Sequence, residues 1–104
     1  MSVLRRESAS PEEQRRELEE QRRREAIKFS LNKQMRTLEK RIGMFKRDLH
    51  AITEHIDILK PHDEYAGVQT EINRLEERKT TLEKEIAGLQ KQLNDIEDKL
   101  KNRT

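Results

Sequence analysis

The feature that most constrains the fold is a run of large apolar residues at alternating steps of four and three. The first run contains Leu31, Met35, Leu38, Ile42, Phe45, Leu49, Ile52, Ile56 and Leu59. This spacing puts every member on one stripe of an α-helix and is typical of a coiled-coil seam, with Leu31 at position d and Met35 at position a. The run therefore predicts a long helix that buries this stripe against another helix.

A second run of the same kind follows between residues 65 and 100. It contains Tyr65, Val68, Ile72, Leu75, Lys79, Leu82, Ile86, Leu89, Leu93, Ile96 and Leu100. Lys79 is its only charged member, and it either fixes the register of the helices or simply lays its aliphatic stem along the seam near Phe45. Only 31% of the chain is hydrophobic and 42% is charged, so the apolar residues suffice for a narrow seam but not for a layered core.

The two runs are separated by Pro61, which lacks an amide hydrogen and disfavours helical geometry at Lys60. The second run is also out of phase with the first by two residues, a shift that an unbroken coiled coil does not absorb. If the chain folds back at this point, residues whose numbers add to 124 face each other, and each layer joins an a to a d position. We call this pairing the 124 register.

The predicted fold is therefore all-α, a two-helix antiparallel coiled-coil hairpin. Charges beside the seam favour this orientation, because the 124 register sets His55 beside Glu71 and Arg41 beside Glu85. The alternative is an opened chain in which each helix pairs with another protein. In either case a single seam barely offsets the ordering entropy of the chain, so we expect completion by a partner or by self-association into a helical bundle.

The N-terminal boundary of the first helix is marked by Ser10, Pro11 and Glu13, which match an N-cap, a first helical residue and a capping box. The predicted segments are a disordered tail (1–9), a basic first helix (10–60) made of an unpaired arm (11–23) and a coiled-coil strand (24–60), a turn (61–64) and a second helix (65–102). The arm is expected to be unpaired because the 124 register offers it no opposing residues.

Basic side chains are concentrated in the first helix, where residues 22–47 hold ten Lys or Arg against two Glu. Such a stripe is either a solvated helix face or a contact surface for a polyanion or another partner. The candidate contact residues, which we call the basic face, are Arg15, Arg16, Arg22, Arg23, Arg24, Lys33, Arg36, Lys40 and Arg47. Aromatic residues for base stacking are scarce, so any nucleic-acid binding is expected to involve the phosphate backbone.

No residue pattern predicts catalysis, a cofactor or a metal site. The chain has no cysteine, and His50, His55 and His62 are spaced by five and seven residues rather than by the four of a helical metal-binding pair. We therefore expect no enzymatic activity, no cofactor and no small-molecule substrate. Ser8, which follows Arg5, Arg6 and Glu7, is a candidate phosphorylation site.

These observations predict a non-enzymatic structural or adaptor subunit that mediates protein–protein assembly with other helical chains, as a homo- or hetero-oligomer. The off-seam residues Ile27, Phe29, Met44 and Ile58 are candidate anchors for such a partner. One alternative is a small basic factor that binds RNA or DNA phosphates, and another is a peripheral membrane or cytoskeleton binder. The sequence has no signal peptide and no transmembrane segment, which predicts an intracellular location, cytoplasmic or nuclear.

Overall fold

The computed structural model describes residues 10–103 and is all-α. Two long helices, α1 (Pro11–Leu59) and α2 (Val68–Arg103), are joined by a short segment that contains a 3-10 turn at Lys60–His62. No β-strand occurs within residues 10–103. The described chain is extended, with principal dimensions of 88 × 20 × 14 Å. The predicted tail at residues 1–9, including Ser8, lies outside the described residues.

The start of α1 is fixed by the cap that the sequence predicts. The backbone N–H of Glu13 donates to Oγ of Ser10 at 3.2 Å, and Pro11 occupies the first turn, where its missing N–H costs nothing. Glu12 and Glu13 place negative charge at the positive end of the helix dipole. The predicted N-cap is therefore confirmed.

The connection between the helices is a succession of tight turns. The N–H groups of Asp63, Tyr65 and Val68 each donate to the carbonyl oxygen three residues earlier, at 3.2–3.3 Å. Gly67 has a φ of +88°, a left-handed conformation that a β-carbon would strain. Because this residue ends the turn, α2 begins at Val68 and not at the predicted residue 65, and the connection is longer than the predicted 61–64.

Tyr65 differs from the sequence prediction, which placed it at the first seam position of the second helix. In the structure it precedes α2 and is 62% exposed. Its ring lies near that of His62, with 6.2 Å between the ring centroids. The backbone turns before and after Tyr65 set the direction of its side chain. The spacing of apolar residues in the sequence does not determine that direction.

The buried apolar side chains form two clusters, each built from both helices. The cluster nearer the turn consists of Ile52, Ile56, Ile72, Leu75 and Leu82. The cluster farther from the turn consists of Leu31, Leu38, Ile42, Leu89, Leu93 and Ile96. Phe45 packs against both clusters. The core is therefore a strip between the helices, and no polar side chain is buried anywhere in residues 10–102.

Candidate interaction surfaces

The predicted seam residues occupy three kinds of environment. The eleven residues of the two clusters are buried. The half-buried ones are Met35, Phe45, Leu49, Leu59, Val68, Lys79, Ile86 and Leu100. Tyr65 is exposed, as described above. The structure thus brings together the seam positions on α1 and α2 and leaves out the one position that precedes α2.

Lys79 lies at the edge of the strip, in a shallow groove that Ile56, Asp57, Glu76 and Glu83 also line. Such a position suits a lysine whose stem packs on apolar atoms while its charge stays near water.

The cation over the ring of Phe45 is Arg41, whose guanidinium carbon lies 6.0 Å from the ring centroid. This distance is within the range of a cation–π contact. The sequence reasoning paired Phe45 with Lys79 across the seam and missed Arg41. The available signal was the four-residue spacing, which places Arg41 and Phe45 one turn apart on the same helix.

Every residue of the basic face is exposed. Arg24 forms an ion pair with Glu20 at 2.9 Å, whereas Arg36 and Arg47 donate to the backbone carbonyls of Asn32 and Gly43. The ammonium groups of Lys33 and Lys40 have neither an ion pair nor a hydrogen bond to any residue between 10 and 103. Much of the positive charge of α1 is thus available for an external group.

The arm, residues 11–23, is exposed at every position. Leu18 is its only large apolar residue and is 49% exposed. Helix α1 has 49 residues and α2 has 36, so the thirteen residues of the arm extend α1 by about 20 Å. The arm is therefore a helical surface that carries no part of either apolar cluster.

An uncharged column runs along the outer side of α1, seven residues apart at each step. Its members, which we call the neutral column, are Ser30, Thr37, Met44, Ala51 and Ile58. All five are exposed, and Met44 and Ile58 are 56% and 67% exposed. The sequence predicted Met44 and Ile58 as candidate partner anchors but did not link them to the rest of the column. The overlooked signal is their strict heptad spacing with three small uncharged residues.

Glu71, at the start of α2, is a carboxylate whose pKa is lowered by its neighbours. The hydrogen bond from Arg74, which donates from Nε to Oε2 of Glu71 at 3.0 Å, is the main reason why the pKa of Glu71 lies below its ordinary value. Partial burial opposes this shift, while the positive charges of Arg74 and of His55 on α1 add to it. His55 is therefore near enough to act on Glu71 from the other helix.

Neither a cluster of metal-ligating side chains nor a membrane-spanning helix occurs within residues 10–103. Between residues 10 and 103 no group of three or more His, Asp or Glu side chains is arranged to hold a metal ion. Within the same range, neither helix has the long apolar stretch that crossing a bilayer requires. Comparison of the chain with protein-family models, with curated proteins and with solved structures gives no match.

Proposed function

We propose that α1 and α2 form an antiparallel coiled-coil hairpin, and that the chain is a non-enzymatic adaptor subunit that assembles with other helical chains. The composition of the two clusters supports the 124 register. Ile52 and Ile72 belong to the cluster nearer the turn, and Leu31 and Leu93 belong to the farther one. The residue numbers of each pair add to 124, so each pair is an a–d layer of the antiparallel 124 register.

Side chains beside the strip support the same register. The charge of His55 lowers the pKa of Glu71, and Arg41 and Glu85 line one groove. Both pairs join an α1 residue to the α2 residue that the 124 register sets beside it. Flanking charges of this kind contribute little to stability, but they discriminate between orientations.

The observation that carries the adaptor proposal is the arm. Thirteen consecutive helical residues are exposed on all sides, beyond the end of the packed strip. An isolated helix of this length is marginal in water, so a helical partner would stabilise it. Exposed charged side chains cover much of the remaining surface, which suits a rod that presents surfaces to other proteins.

The shallow core gives a second reason for a partner. No side chain in residues 10–102 is fully buried, because the strip lies between only two helices. In such small systems the free energy gained by apolar burial only just offsets the entropic cost of ordering the chain. That cost is about 1.5 kcal/mol per residue. Burial of a further face against another chain would shift this balance toward the folded state.

We expect the helical signal and the melting temperature of the purified chain to rise with its concentration or on addition of its partner. Circular dichroism melts between about 5 and 500 µM, with sedimentation equilibrium on the same samples, measure both properties, since binding to the folded state alone makes Tm depend on concentration. A monomer that is stably folded at about 5 µM and melts at the same temperature throughout would contradict the need for a partner.

A second candidate function, phosphate-backbone binding, is favoured by the exposed and unpaired ammonium groups of Lys33 and Lys40. If six or more cations of the basic face contact phosphates, the affinity for RNA or DNA should fall by about 10³-fold between about 50 and 200 mM salt. Electrophoretic mobility shifts over this range measure the effect. Absence of binding at the lower salt concentration would exclude this function.

A further inference from the structure

We infer that a second copy of the chain docks along the neutral column of α1 in antiparallel orientation, with Met44 of both copies at the two-fold axis. This inference rests on the proposed hairpin, because packing of α1 against α2 leaves the column exposed on the outer side of α1. It names a partner for the adaptor, namely the chain itself. Two hairpins joined in this way would form a four-helix assembly.

The neutral column is symmetric about its central residue. Two antiparallel copies of α1 that meet at Met44 pair residues whose numbers add to 88. Ser30 of one copy then lies opposite Ile58 of the other, and Thr37 lies opposite Ala51. Every layer of this contact is uncharged, although the described part of α1 around it is rich in Lys, Arg, Asp and Glu. A self-complementary patch of this kind is what a two-fold interface requires.

Charge complementarity identifies the second copy as the occupant. Residues 29–40 hold three basic side chains and one acidic one, a net charge of +2. Residues 48–59, the last turns of α1, hold three acidic side chains and no Lys or Arg, a net charge of −3. In a pairing that adds to 88 these two segments face each other twice, once on each side of the axis. A parallel pairing would set each segment against its own copy, and like charges would repel.

Residues beside the column include both favourable and unfavourable pairs. Lys33 is brought near Glu54 of the other copy, and Arg41 near Asp48, so opposite charges meet at four places in the dimer. Lys40 and Arg47 approach each other near the axis and oppose association. The segment charges favour the antiparallel direction, while this repulsion limits the affinity.

The length of the contact is consistent with a weak but specific dimer. From Ser30 to Ile58 the column spans about 42 Å at 1.5 Å per residue. With a helix-wide contact strip, two such surfaces bury about 1,000 Å², which is the lower limit for a specific interface. We therefore expect a dimer that dissociates on dilution, with twice the 12.5 kDa mass of the chain at high concentration.

Single cysteines test the direction and the register, because the chain has none of its own. Met44→Cys alone should oxidise to a disulfide-linked dimer. Ser30→Cys and Ile58→Cys should each give little dimer alone and a mixed disulfide when combined, which mass spectrometry identifies from their different masses. Asn94→Cys, on an exposed site of α2 outside the column, reports the background of random collisions.

Sedimentation equilibrium of charge variants tests the energetics. Met44→Asp should weaken association by about tenfold or more, since two carboxylates would meet at the axis. Asn94→Asp adds the same charge at an exposed helical site and should leave association unchanged. Circular dichroism confirms that each variant is helical, and if Met44→Asp is not, Met44→Lys replaces it with the same expectation.

The inference is overturned if the chain is monomeric at about 500 µM, if Ser30→Cys links to itself as readily as Met44→Cys, or if Met44→Asp associates like the wild-type chain. A monomer that binds duplex nucleic acid would assign the basic face to phosphates instead. None of these results bears on the intrachain disulfide described below, so failure of the dimer and failure of the hairpin are distinguishable.

Discussion

Replacement of Leu75 by Ala is expected to lower the free energy of unfolding by about 2–5 kcal/mol. Leu75 is 4% exposed and belongs to the cluster nearer the turn, together with Ile52 and Ile72. The substitution removes three carbon atoms and leaves a cavity in a strip that has no second layer to fill it. Because the total stability of so small a core is only a few kcal/mol, much of the chain should unfold. Urea titration followed by circular dichroism measures the change.

Leu18→Ala is the matched control, with the same substitution on the arm of α1. Leu18 is half exposed and lies in neither cluster, so the change should stay within about 0.5 kcal/mol. Equal losses of stability in the two variants would contradict the assignment of the core to the strip between the helices.

The double variant Ile42→Cys and Leu82→Cys is expected to form an intrachain disulfide on oxidation. Both positions are buried, and their numbers add to 124. Adjacent a and d positions of paired helices bring Cα atoms close to the range of about 4.4–6.8 Å that a disulfide spans. Because the bond closes a loop of forty residues, it should raise the free energy of unfolding by about 4 kcal/mol. Mass spectrometry and urea titration of the oxidised monomer measure closure and stability.

Ile42→Cys with Leu75→Cys is the control for register. Its second cysteine is shifted by seven residues, or about 10 Å along α2, which places it outside disulfide range. Efficient closure of this control, or disulfides formed only between chains by the pair at positions 42 and 82, would refute the antiparallel 124 register.

The long helices and their buried stripes follow from the sequence because helix amphipathicity is a local property. A residue such as Ile72 or Leu82 is recognisable as buried from its spacing to its neighbours alone. The cap at Ser10 is equally local, since it depends only on Ser10, Pro11 and Glu13. These features therefore needed no knowledge of tertiary contacts.

The conformation of the turn could not be predicted from local apolar spacing. Tyr65 continues the apolar spacing of the second run, so the pattern alone places it on the seam. Its actual direction depends on the hydrogen bonds from Asp63 and Val68 and on the left-handed Gly67. Backbone geometry of this kind is not encoded in the spacing of apolar residues.

The surfaces were also only partly predictable. The basic face is readable from composition, but the neutral column contains Ser30 and Thr37 and so produces no apolar signal. The heptad spacing that links them to Met44 and Ile58 is present in the sequence, but only the structure shows that the whole column is exposed. The contact of Arg41 with the ring of Phe45 likewise depends on side-chain conformation, which the sequence does not give.

The turn between the helices also has a kinetic consequence. Ile56 and Ile72, in the cluster nearer the turn, are sixteen residues apart, whereas Leu31 and Leu93 in the farther cluster are sixty-two residues apart. Closing the longer loop first would cost about 1.2 kcal/mol more in chain entropy. Folding should therefore begin beside the turn and proceed toward the arm. Substitutions near Ile56 and Ile72 would then slow folding, and those near Leu31 and Leu93 would mainly accelerate unfolding.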